Sequence, residues 1–447
     1  MSERSGELPE WSAMGPVDPP RVPGPFRTPG FGVAWLVSGL AGAAFSALWA
    51  IQTVAIPDLD YSTRSFSALS LSGHIGVLAG VTLALWLGDR YPKRHVLRRC
   101  YFAMASCSAV ACAVAVAGFG SVPLLHVTYV AVGLLYGLTT PVVWGLVAEL
   151  VPRSQLAKAI VMLSWSAIVG SLLGLPLVIS VFGDGLLLDA PYEFAFLYVA
   201  LLCVVAALLT RRLPSHAGSL RFPGGFRDAV DLVIRGKRLR ALFLFALVIG
   251  GCLAVFSSSV SIFAYFDLDL RSDLGWLFTA QGGAGVIATV GLAFVISGSR
   301  GWPTLLISGG IGALLCIAIS ATDTFWPLLA LMIPFGAASS AASLGANAIA
   351  ASHTKLGYFG RVGAMLSVGG SIFGSALSLL GIVIGDWGQG RSLIVGVGVV
   401  LLVASLLLFR TWRGIRTESS QIDGVDPTPS IGLITETAAP QKPAQSD

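Results

Sequence analysis

Charge is what this sequence has least of. Asp, Glu, Lys and Arg make up 11% of its 447 residues, less than half the usual quarter. A soluble protein cannot cover its surface with so few charges, so a soluble enzyme is excluded. No charged residue falls in the middle third of any long apolar run, so the buried ionisable groups typical of proton relays are missing there. Cysteine is scarce too. Cys100, Cys107, Cys112, Cys203, Cys252 and Cys316 have no metal-ligand spacing and no neighbouring His, and read as small core or lipid-facing residues. There is no nucleophile constellation, metal cluster or phosphate loop, so neither enzyme activity, a cofactor nor a metal is expected. The Pro-rich start lacks the short apolar core and small-residue cleavage site of a signal peptide.

Apolar residues are abundant instead, at 55% with 53 glycines and a mean hydropathy of +0.81. Twelve runs are long and apolar enough to span a bilayer: 33–56, 65–88, 101–120, 123–148, 158–182, 192–210, 240–265, 274–297, 303–321, 325–350, 361–384 and 392–410. With the N-terminus inside, all Lys and Arg except Arg64, Arg271 and Arg391 fall on the cytoplasmic side. The positive-inside rule therefore predicts N-in and C-in. The net charge of +5 is mostly this asymmetry and implies no nucleic acid. An all-α integral membrane protein is expected, with twelve transmembrane helices in two six-helix bundles. Residues 1–31 form a cytoplasmic tail, 32–210 the first bundle, 211–239 a basic cytoplasmic loop, 240–410 the second bundle and 411–447 a disordered cytoplasmic tail. Within the loop, Asp228–Lys237 reads as a short surface helix. Lys158-Ala-Ile-Val-Met-Leu-Ser164 opens the fifth run and Arg361-Val-Gly-Ala-Met-Leu-Ser367 the eleventh, 203 residues later. Their equivalent placement points to two parallel repeats.

Few polar side chains lie at membrane depth. His74, about ten residues into the second run, is either a proton-coupling group, since imidazole titrates near neutral pH, or a neutral interhelical hydrogen-bonding residue. Trp49, Gln52, Tyr136, Thr139, Thr140, Ser257, Gln281, Ser343 and Asn347 are the candidate substrate contacts, with Ser258, Ser259, Ser261, Ser339, Ser340, Trp144 and Trp165 nearby. Each Ser or Thr can also back-bond to its own helix. Runs one, four, seven and ten carry much of the set. Together they predict a mid-depth cavity of hydroxyls, amides and aromatic faces without fixed charge, suited to a bulky, uncharged ligand. Four Gly-x-x-x-Gly pairs, at Gly76, Gly133, Gly170 and Gly370, read as helix-packing sites.

The most specific segment is Leu87-Gly-Asp89-Arg90-Tyr-Pro92-Lys93-Arg94. Topology accounts for its bases but not for Asp89. An acid there can face the N-terminus of a neighbouring helix, where the dipole is positive. The segment resembles the signature loop between helices two and three of the major facilitator superfamily, with Leu85 and Pro92 where glycines are usual. Ala148-Glu149-Leu-Val-Pro152-Arg153-x-x-Leu156-Ala157-Lys158-Ala159 is similar to the turn between helices four and five in that superfamily's enterobactin-exporter and macrolide-efflux branch. Gly170-x-x-x-Gly174-x-Pro176 and Gly360-Arg361-Val362 also resemble that branch. The resemblance covers residues 32–410. It implies alternating access, with Asp89, Arg90, Lys93, Arg94, Glu149 and Arg361 as a cytoplasmic latch. Gly42, Ala43 and Ala44 stand where many drug antiporters carry a proton-binding acid. The expected function is secondary active export of a small amphipathic or apolar compound (a drug, siderophore or secondary metabolite). The protein would act as a monomer in the plasma (inner) membrane, with protons as candidate coupling ions. The alternatives are an uptake or facilitative carrier without proton coupling, and a receptor or scaffold with the same fold.

Overall fold

In lipid a backbone can hydrogen-bond only to itself, so apolar runs of this length must coil into helices. The computed structural model describes residues 24–55, 59, 62–87, 91–182, 191–214, 226–270, 273–293, 298–354, 358–384 and 389–422, and no strand occurs among them. Twelve long helices are described: α1 (Phe31–Val54), α2 (Thr63–Leu87), α3 (Lys93–Val114), α4 (Val122–Leu150), α5 (Arg153–Phe182), α6 (Glu193–Leu209), α7 (Lys237–Ile262), α8 (Leu274–Ala293), α9 (Gly298–Ser320), α10 (Phe325–His353), α11 (Phe359–Ile384) and α12 (Gln389–Ile422). Among the described residues, eleven helices are long and apolar enough to cross a membrane. The exception, α8, is diluted by Gln281 and by Gly282, Gly283 and Gly285 in mid-helix.

Several helices outrun their apolar segments. α3 begins at Lys93 rather than 101, and α12 continues to Ile422, past the expected end at 410. Hydropathy stops at the first charges, whereas Arg and Lys are good helix formers and prolong a helix into water. The expected tail from 411 is therefore helical to Ile422, and residues 423–447 lie outside the described residues, as do 1–23. In the middle loop a short helix spans Phe226–Arg235, two residues earlier than expected.

The helices pair by one scheme, used twice. α1 packs on α5, α2 on α4 and α3 on α6; α7 packs on α11, α8 on α10 and α9 on α12. Contacts between the two sets obey the same symmetry. α2 meets α11 as α8 meets α5, and α4 meets α11 as α10 meets α5. The similar segments at Lys158 and Arg361 thus sit on the two equivalent helices, α5 and α11.

Glycine permits the closest approaches. A Cβ at Gly133 would lie 2.8 Å from the Gly73 carbonyl oxygen, and Cβ atoms at Gly76, Gly80 and Gly137 would press on backbone carbonyls of the facing helix. Two Gly-x-x-x-Gly pairs, one from α2 and one from α4, therefore interlock. Large apolar side chains such as Ile287, Trp326, Val383 and Phe119 point outward. A protein in water would bury them, and a bilayer solvates them.

Candidate functional site

A cavity of about 600 Å³ lies between the two helix sets, within the usual range for small-molecule sites. Its walls come from α1, α2, α5, α7, α8, α10 and α11, with Trp144 from α4. Trp49, Gln52, His74, Ser257, Gln281, Ser343 and Asn347 line it, and no Asp, Glu, Lys or Arg does among the described residues. Tyr136, Thr139 and Thr140 are not on its wall. They line a second cavity of about 320 Å³ beside it, toward the Lys93 end of the helices. The three share one face of α4 by helical spacing, and that face turns toward α3 and α5. The expectation that runs one, four, seven and ten make the cavity is thus corrected: α2, α5, α8 and α11 contribute as much, because the symmetry places them at the interface.

Polar side chains close the cavity at the end away from Lys93. Ser70 Oγ is 3.4 Å from Gln52 Oε1 and 3.1 Å from Ser258 Oγ, joining α1, α2 and α7. Thr53 Oγ1 lies 3.5 Å from Ser261 Oγ. The fully buried Tyr129 hydroxyl donates to the Leu48 carbonyl and accepts from the Gln52 amide at 3.1 Å, wedging into one turn of α1. Such insertion weakens the helix's own ladder beside the cavity. Tyr129 and Ser70 went unnoticed in the sequence. A signal existed for Ser70, which stands one turn before His74 on the same helix.

His74 is buried, and its Nε2 has no hydrogen-bond partner among the described residues. Its ring centre lies 5.2 Å from that of Trp49, and a Cβ on Gly374 would approach its Cε1 to 2.9 Å. The second glycine of the α11 pair therefore makes room for an imidazole from the other helix set.

At the opposite end, Lys93 Nζ donates to Glu149 Oε1, joining the start of α3 to the end of α4. The two side chains are 9% and 3% exposed. Just beneath, α4 and α11 nearly touch. A Cβ on Gly145 would reach Lys93 Cε at 2.9 Å, and one on Gly360 would reach the Pro141 carbonyl oxygen at 3.0 Å. Arg361 follows, buried, with its guanidinium 5.6 Å from the centre of the Tyr358 ring. Arg94 departs from the expected grouping and donates at 3.1 Å to the backbone carbonyl of Arg211, beyond α6. Asp89 and Arg90 lie outside the described residues. The helix sets therefore meet at both ends of the cavity.

A sequence model described as the Major Facilitator Superfamily matches residues 34–318. The chain belongs to the Major Facilitator Superfamily. It is a multi-pass membrane transporter, not an enzyme, and members of this family move small molecules across a bilayer. Solved structures agree on the fold. The human organic anion transporter MFSD10 aligns with a TM-score of 0.63 at 17% identity, covering 87% of this chain and 100% of that one. The proton:xylose symporter XylE aligns at 0.62 and 14% identity, covering 85% and 95%. The nucleoside transporter NupG aligns at 0.59 and 14% identity, covering 86% and 98%. A sequence search of curated proteins gave no match.

Proposed function

We propose that this transporter exports a neutral amphipathic or apolar small molecule across the plasma membrane by alternating access. The observation that carries the reading is the cavity wall: indole, phenyl, imidazole, amide and hydroxyl groups, with no Asp, Glu, Lys or Arg among the described residues. A fixed charge in a low-dielectric site would select a counter-ion, and this wall has none to offer. Export follows from the resemblance of the Glu149 turn and the Gly170–Pro176 segment to an exporter branch. We further propose twelve spans including α8, both termini in the cytoplasm, a monomer, and halves 32–210 and 240–410 joined by the basic loop 211–239. Lys93 and Glu149, with Arg361 and the neighbouring Asp89 and Arg90, would latch the cytoplasmic end. Efflux of neutral, anionic and cationic analogues of one shape from loaded vesicles tests the substrate class. The neutral member should be moved at least about tenfold faster, and a preference for either ion overturns the reading.

His74, facing α11 across the interface, is the candidate proton carrier in this reading. His74→Gln is expected to retain ligand binding but to lose accumulation driven by a pH gradient in inverted vesicles. Unchanged accumulation would favour the second reading, a carrier without proton coupling, which the uncharged wall also supports.

A further inference from the structure

We infer that the 320 Å³ cavity is a polar annex of the substrate site, and that it receives a hydroxyl- or carbonyl-bearing end of the ligand while the larger cavity holds its apolar body. The inference rests on the proposed neutral substrate and adds where that substrate's hydrogen-bonding group goes.

The two cavities are continuous in their walls: Trp144, Ser343 and Asn347 line both. Their chemistry differs. Much of the annex wall is hydroxyl-bearing, from α1, α3, α4 and α5. Several of those hydroxyl hydrogens are already committed. Thr139 donates to the Tyr136 carbonyl at 2.8 Å, Thr140 to the same carbonyl at 3.4 Å, and Ser164 to the Ile160 carbonyl at 3.0 Å. Each such oxygen keeps lone pairs, so the wall can accept hydrogen bonds from a guest. Tyr101 supplies the opposite function. It is 0% exposed and lines the annex beside Thr139, and its hydroxyl makes no hydrogen bond of full geometry among the described residues. A buried hydroxyl left unpaired costs about 1–3 kcal/mol, and a guest acceptor would relieve that cost. A donor beside several acceptors, all neutral, matches a group that both accepts and donates, such as an alcohol or an amide. It matches a carboxylate less well, since several wall hydroxyls spend their hydrogens on backbone carbonyls and no Lys or Arg lines the annex among the described residues. Asn347 marks the boundary, donating across from α10 to Ser164 Oγ on α5 at 2.7 Å.

The test uses purified full-length protein in lipid nanodiscs and three biphenyl probes: para-phenylphenol, para-methylbiphenyl and biphenyl carboxylate. Binding is measured against empty nanodiscs. The parent should prefer the phenol to the methyl compound by roughly three- to tenfold, the worth of one good hydrogen bond. Tyr101→Phe should erase that preference while leaving affinity for the methyl compound unchanged. Thr139→Val, which keeps the side-chain shape, should reduce it without changing the methyl compound either. If Tyr101→Phe retains the preference, or weakens both probes equally, the annex is not the polar subsite. Should the carboxylate bind best, the neutral-substrate reading fails. If no probe binds the parent, the cavity itself is not the site and the annex falls with it.

Discussion

Glu149→Gln is expected to open the Lys93 end of the transporter. The substitution leaves the Lys93 ammonium buried, at 9% exposure, without its carboxylate. Removing one partner of a buried ion pair costs about 3–5 kcal/mol, because the surviving charge loses its compensation in a low dielectric. The cost falls on conformers in which α3, α4 and α11 are packed together here. A conformer that separates this end lets water reach Lys93 and escapes it. The equilibrium between the two should therefore move by more than about a hundredfold. A cysteine at Ser343, inside the cavity, reports the change. Its labelling by an impermeant maleimide added from the Lys93 side should speed up at least about tenfold in Glu149→Gln, with the six native thiols of the parent as background. Lys93→Met combined with Glu149→Leu removes both charges and should restore slow labelling, since an apolar pair of similar volume is tolerated where half an ion pair is not. Equal labelling in parent and single variant would mean that the pair does not hold this end closed.

The fold that carries this pair was legible in the sequence, whereas the pairing of Lys93 with Glu149 was not. Spans are legible because the bilayer removes every alternative to a helix, and the seven-residue similarity between the starts of α5 and α11 reported the symmetry that now relates their contacts. Helix ends were less legible. Lys93, Arg98 and Arg99 lower the hydropathy of α3 without interrupting its backbone, so the apolar run marked the lipid boundary and not the helix. Within the site, Gln52, Ser257 and Asn347 could be chosen because an amide or hydroxyl at depth must face protein or water. Tyr136, Thr139 and Thr140 met the same criterion but line the annex. Depth gives distance along a helix, and the neighbour on each face depends on which helices pair. Tyr101 opens the apolar run of α3, so depth along the helix placed it at the lipid boundary and gave no sign that its phenol is buried. Tyr129 could not be found this way, because its partners are backbone atoms of α1 that no residue type advertises.

Glycine, present 53 times in the chain, separates into two classes with opposite predicted effects. Gly80 faces the Leu134 carbonyl and Gly137 faces the Val77 carbonyl so closely that a Cβ would overlap each. Both obstacles are backbone, and neither can swing away as a side chain would. Gly80→Leu must therefore push α2 from α4 along their whole seam, with loss of packing on both helices. The expected destabilisation is at least about 3 kcal/mol, enough to reduce the yield of folded protein. Gly80→Ala should fall short of that but remain clearly destabilising. Gly312 on α9 is the contrast, since a Cβ there meets nothing within 4 Å. Alanine at this position should leave the fold intact and raise stability by about 0.5–1 kcal/mol, because a helix-interior glycine has more backbone freedom to lose. Melting temperatures of the purified variants, with the monodisperse fraction, decide the matter. The α2–α4 seam also sets function. His74 stands on α2 and Trp144 on α4, and both line the main cavity. A displaced α2 would carry the imidazole away from the space that Gly374 leaves for it. Any folded Gly80→Ala protein should then bind ligand less tightly than its melting temperature alone would suggest, whereas Gly312→Ala should bind as the parent does. A Gly80→Ala protein with parental melting temperature and affinity would show that α2 and α4 do not meet at this point.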